Sequence, residues 1–74
     1  MIDNEALIEA VSAEVHEAWM ATKLAQGVTS RPSEWGEEQM VPYAALSERA
    51  KDLDRATVRA VLAAEARVRE GASR

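Results

Sequence analysis

Cysteine is absent from this 74-residue chain, proline occurs twice, glycine three times and histidine once. Each shortage removes a class of protein. Without cysteine, no disulfide and no thiolate-held metal can staple so small a domain together; the lack also fits a reducing cytoplasm. His16 stands alone, so there is no second imidazole for a metal site and no Cys–His couple for nucleophilic catalysis. Apolar runs fall short of the roughly 20 residues needed to cross a bilayer. The opening Met1-Ile2-Asp3-Asn4-Glu5 is acidic where a secretory or transit leader would be basic. Phosphate loops, dinucleotide fingerprints and nucleophile elbows are missing too. These absences predict a soluble, cytoplasmic, non-enzymatic protein with no metal, no cofactor and no membrane contact.

The charge balance excludes one more class. Thirteen acidic against nine basic residues leave a net charge of -4 and a pI near 4.9, the reverse of the basic face of a general nucleic-acid binder. A local basic pocket for one small anion is compatible with that balance. The length allows one domain, residues 1–74, with a marginal core, since a chain this short buries only about 60% of the surface its unfolded form exposes. Stability then has to come from well-formed helices, a bound ligand or self-association.

Periodicity predicts an all-α fold of two long helices joined by a long loop and a short helix. The first helix runs from Asn4 to about Gln26, with Asp3 or Asn4 as its cap and Gly27 as its terminator. Leu7, Ile8, Val11, Val15, Ala18, Trp19 and Thr22 share one arc of the helical wheel, which reads as the core-facing stripe. Val28 to Val41 breaks the period with Ser30-Arg31-Pro32-Ser33-Glu34-Trp35-Gly36, and a connection this long is often functional. Val41-Pro42 should be extended, with one helical turn at Tyr43–Leu46. Ser47 then caps a short helix, Glu48–Asp52. Asp54 caps the last helix, which starts at Arg55, reaches about Arg69 and has Gly71 beyond it. Val58, Val61, Leu62 and Val68 form its apolar stripe, which Glu65 interrupts; either the last turns project past the core, or Glu65 meets a cation or a second subunit. No internal repeat or low-complexity segment is present.

One constellation suggests binding chemistry. His16, Trp19 and Lys23 follow an i, i+3, i+7 spacing and share one side of the first helix, at the border of the apolar arc. A flat ring between an imidazole and an ammonium suits a planar base carrying a phosphate. Stacking a base on an aromatic ring is worth roughly 1–3 kcal/mol, and Lys23 can supply a point charge. The plainer reading makes Trp19 the largest core residue, with His16 and Lys23 solvated beside it, and spacing alone favours that. Trp35 in its polar loop either folds back as a hydrophobic plug or closes over a ligand. Arg31 either pairs with an anion or is solvated. Tyr43, after a proline, reads first as an anchor for the loop end and second as a ligand contact.

The order of these features resembles the ryanodine-receptor (RyR) repeat domain family. The resemblance is carried by Val15-His16-Glu17-Ala18-Trp19, Lys23 and Gln26-Gly27, then Met40-Val41-Pro42-Tyr43-Ala44-Ala45-Leu46-Ser47 and Lys51-Asp52-Leu53-Asp54-Arg55-Ala56-Thr57. It covers roughly residues 8 to 64. Val28 stands where the family pattern usually has an aromatic, a place that Trp35 is positioned to fill. The resemblance implies a compact helical repeat, found in tandem in the large calcium-release channels and singly in bacterial and phage proteins. Paired channel repeats are related by an approximate twofold and can hold a nucleotide between them. Trp19 matches the tryptophan lining that cleft, with His16 and Lys23 on the same helix; Pro42, Tyr43, Leu46, Asp54 and Thr57 match architectural positions, the last two as helix-start caps. The expectation is a homodimer mimicking the tandem pair, binding a nucleotide or nucleotide-derived signal through His16, Trp19, Lys23, Arg31, Trp35 and Tyr43. A protein-interaction module without a small ligand is the alternative.

Overall fold

The computed structural model describes residues 3–72, so the ends of the expected 1–74 domain lie outside the described residues. The first helix, α1, spans Asn4–Ala25. It begins there because the Asp3 carboxylate accepts the Ala6 amide at 2.7 Å, satisfying a donor that the first turn leaves free. It ends there because Gly27 takes a φ of 81°. That turn directs the Gly27 amide to the Leu24 carbonyl at 3.0 Å and the Val28 amide to the Lys23 carbonyl at 2.9 Å, the pairing that closes a helix around a left-handed glycine.

The second helix, α2, spans Glu48–Ala72 without interruption. The expected break between a short helix at Glu48–Asp52 and a new helix capped by Asp54 does not occur. Ser47 alone starts the helix: its hydroxyl accepts from the Ala50 amide at 3.2 Å. Neither Asp52 nor Asp54 acts as a cap, because each has a partner that keeps its side chain away from the backbone. Asp52 meets Arg55 at 2.8 Å, and Asp54 faces His16. Thr57, also read as a cap, donates to the Leu53 carbonyl one turn back at 3.2 Å. Gly71 lies within the final turn, not beyond it.

Pairings across the interface run Glu5–Arg59, Glu9–Arg55 and His16–Asp54, so α1 and α2 lie in opposite directions. Because Arg59 already reaches the start of α1, the remaining turns of α2 project past it. Val61 and Val68 are exposed for that reason, Val68 by 73%. The apolar stripe expected along α2 is therefore buried at Val58 and half-buried at Leu62 only. Glu65, which interrupts the stripe, pairs with Arg69 on its own helix at 2.9 Å.

The buried face of α1 differs from the one its apolar residues suggest. Ile8, Ser12 and His16 are buried, while Leu7, Val15, Ala18 and Thr22 are exposed. The inward line is displaced by about one residue's rotation, roughly 100°. Ser12 and Val58 are the two fully buried side chains, 0% and 2% exposed. Each helix thus contributes one fully buried side chain, a small polar one on α1 and a β-branched one on α2. Tyr43, Leu46 and Ala50 complete the core, with Ala13, Trp35 and Val41 packed against them.

The connection between the helices is braced from within by two carboxylates. Glu38 pairs as an isolated antiparallel bridge with Pro32, and its side chain accepts from the Arg31 amide at 2.8 Å, the Met40 amide at 2.9 Å and the Ser30 hydroxyl. Glu37 accepts from the Ser47 amide at 2.8 Å, the Ser47 hydroxyl at 2.6 Å and the Trp35 indole at 2.8 Å. Gly36 turns the tip with a φ of 87°. A 3-10 turn at Tyr43–Ala45 then leads into α2.

Candidate functional site

His16 organises the space between α1, the loop and α2. It is 4% exposed, and its Nε2 lies 2.8 Å from the Val41 carbonyl. A carbonyl only accepts, so Nε2 carries a proton and donates. Its Nδ1 is thereby left facing the Asp54 carboxylate at 3.5 Å. One imidazole thus ties the end of the loop to both helices. Burial pushes the Asp54 carboxyl above its usual range, and the neighbouring His16 pulls it back only in part.

Beside this pair opens a cleft of about 260 Å³, lined by His16, Trp19, Arg31, Gln39, Asp54 and Thr57 over an apolar base of Leu46, Ala50 and Leu53. Trp19, one turn beyond His16, is half-buried, and its ring centroid lies 5.6 Å from the imidazole. It presents part of its ring to the cleft. Arg31 arrives from the loop with its backbone pinned on both sides: its amide donates to Glu38 at 2.8 Å, and its carbonyl accepts from Gln39 at 2.9 Å. Its guanidinium is exposed, with no carboxylate partner among the described residues. Arg55, Arg59, Lys51 and Arg69 all pair with carboxylates, and Arg49 stacks 4.0 Å over Trp35.

Of the six residues expected to contact a ligand, the fold brings His16, Trp19 and Arg31 to this cleft and places Lys23, Trp35 and Tyr43 elsewhere. Lys23 is half-buried in the last turn of α1, where its carbonyl closes the helix end. Trp35 is the plug of the loop, fixed by Glu37 and Arg49 against the Tyr43–Leu46–Ala50 cluster. Tyr43 is an anchor: its hydroxyl donates to Glu9 at 2.6 Å, its amide to Glu17 at 3.1 Å. Burial, and then the Glu9 bond, raise its phenol to about 12.

Asp54, Gln39 and Thr57 line the cleft although the sequence did not single them out as ligand contacts. For α2 a usable signal was present. Once the helix is taken as continuous from Ser47, Ala50, Leu53, Asp54, Thr57 and Val58 fall at i, i+3, i+4, i+7 and i+8 on one face. The cap reading of Asp54 concealed that spacing. Gln39 carries no such signal, because its place depends on the path of the loop.

Among the described residues no group of three or more His, Cys, Asp or Glu side chains is placed to hold a metal ion, and no helix is long and apolar enough to cross a membrane. The model of the RyR domain family matches residues 2–68, nearly the whole chain, and the chain belongs to that family. No curated protein and no solved structure matches it.

Proposed function

We propose that this chain is a non-catalytic, cytoplasmic binding module whose cleft between α1, the loop and α2 takes a nucleotide or a nucleotide-derived signal, as a sensor or a sponge. One observation carries the reading: a half-buried tryptophan and an arginine without a carboxylate partner among the described residues line the same cleft in an otherwise acidic protein. The indole offers a stacking face for a base, and the guanidinium offers a two-pronged donor for phosphate. The pocket falls just below the roughly 300–1,000 Å³ of drug-sized sites, a size suited to one base with its phosphate directed toward solvent.

The expected homodimer places Trp19 of each subunit at a shared cleft; the projecting end of α2 offers a second, separate surface for self-association. Val61 and Val68 are apolar and exposed there, and a second copy would cover them. The same side chains support the alternative reading, an adaptor that docks another protein through α2 and binds no small ligand.

Thermal unfolding against mono-, di- and cyclic nucleotides, with tryptophan fluorescence recorded alongside, separates these readings. A ligand at 100 times its Kd stabilises the folded state by about 2.7 kcal/mol, a shift on the order of 10 °C for a domain this size. Arg31→Gln, at an exposed position, should abolish that shift without changing the melting temperature of the free protein. A flat response to the whole panel rejects the nucleotide reading; sedimentation that reports a dimer broken by Val68→Glu then locates the interface on α2.

A further inference from the structure

Asp54 sits in the cleft with acceptor capacity left over. Its Oδ2 faces His16 at 3.5 Å, longer than a good hydrogen bond. Its other oxygen has no hydrogen-bond partner among the described residues, and the side chain caps no helix. A carboxyl whose ionisation is disfavoured by burial costs the free fold stability. The pairing with His16 uses only part of what Asp54 offers: the group is held partly out of water, with one long contact, on the wall of an open cleft.

The geometry points to Asp54 as the residue that reads the edge of the bound base, selecting a guanine-type base, with two adjacent N–H donors, over adenine. This rests on the reading of the cleft as a nucleotide site. Trp19 and Asp54 each contact His16, the first through its ring and the second through a polar contact, and both line the same cleft. In this assignment a base stacked on the indole turns its edge to the carboxylate on the same cleft wall. A carboxylate is acceptor-only and takes two parallel donors best. Guanine presents such a pair, its ring N–H beside its exocyclic amine. Adenine presents one amine beside a ring acceptor, and that acceptor would meet a carboxylate oxygen lone pair to lone pair. Arg31 then lies in the same cleft as the cation for the phosphate. The opposite charges of Asp54 and Arg31 would also fix which way round the nucleotide binds.

The test compares guanosine, inosine and adenosine monophosphates by calorimetry on the wild-type protein and on Asp54→Asn. Inosine keeps the ring N–H and lacks the exocyclic amine, so the affinity order should be guanosine, inosine, adenosine, with at least about tenfold between the first and last. Asp54→Asn should collapse that preference to within about twofold, and the unliganded variant should melt no lower than the wild type. Equal affinity for guanosine and adenosine, or a preference that survives Asp54→Asn, overturns the assignment while leaving the cleft a nucleotide site. Should Asp54→Asn fail to fold, the three-base series on the wild type still decides, because an order without inosine in the middle rejects a paired-donor contact. Binding of none of the three rejects the nucleotide reading itself.

Discussion

Arg55 holds both oxygens of Glu9, its Nε on Oε1 and its Nη2 on Oε2, each at 2.8 Å, across 46 residues of chain. The same guanidinium reaches Asp52 at 2.8 Å and Glu48 at 3.1 Å, and Glu9 also accepts the Tyr43 hydroxyl. This cluster joins α1, the 3-10 turn and α2 at one point.

Arg55→Ala should therefore lower the melting temperature more than Glu48→Ala or Asp52→Ala, because it releases three carboxylates and frees the anchor of Tyr43. A double-mutant cycle with Glu9→Gln should show strong coupling, as expected for residues in one network. Independent, additive effects would show that the cluster is a bystander.

Acid should unfold the domain in a defined window. Hydrogen bonds from Arg55 and Tyr43 hold the Glu9 carboxyl at about 2, and those from Ser30, Arg31 and Met40 hold Glu38 at about 2, against an ordinary 4.5. The Ser47 backbone and hydroxyl, with Trp35, hold Glu37 low as well. Groups lowered on folding contribute stability above their unfolded value and lose it as pH falls toward the folded one. Melting temperature should thus be flat above pH 5 with respect to these groups and fall between about 4.5 and 2. Glu38→Gln should show a shallower fall; a slope unchanged in that variant removes the loop from the explanation.

Ser12→Ala should stabilise the protein. The Ser12 hydroxyl is buried without a hydrogen-bond partner among the described residues, and an unsatisfied buried polar group costs roughly 1–3 kcal/mol. Alanine keeps the close approach of α1 to α2 and removes that cost. A gain of about 1 kcal/mol corresponds to about 4–8 °C in Tm. A loss of stability instead would mean that the hydroxyl has a partner in solution.

Valines on α2 should divide by position. Val58→Ala opens a void in the buried interface and should cost about 2 kcal/mol. Val68→Ala, on the projecting turns, should fall within about 0.5 kcal/mol for the monomer. A larger effect at Val68 that grows with protein concentration would assign that end of α2 to self-association.

Much of this architecture was legible without coordinates. The caps at Asp3 and Ser47, the stop at Gly27 and the turn after Pro42 follow from backbone donors and from φ restrictions that act within a few residues, so local chemistry decides them. The all-helical character and the family relationship are also properties of the sequence itself. The continuity of α2 was less accessible, because Asp52 and Asp54 look like caps until Arg55 and His16 engage them.

What the sequence by itself determined is therefore the all-helical class, the bounds of α1, the start of α2 at Ser47 and the chemical types available to a site. Which face of α1 turns inward was decided only in the tertiary structure. Apolar content pointed to Leu7, Val15 and Ala18, yet the packed face runs through Ile8, Ser12 and His16. Small size at Ser12 permits close approach, and the polar pairings of His16 and Glu9 exist only once α2 and the loop are in place. The same holds for the cleft. Trp19 could be named from its spacing, but Arg31 and Asp54 come to it from positions 12 and 35 residues further along the chain, and no local rule encodes a meeting that depends on how α2 and the loop dock against α1.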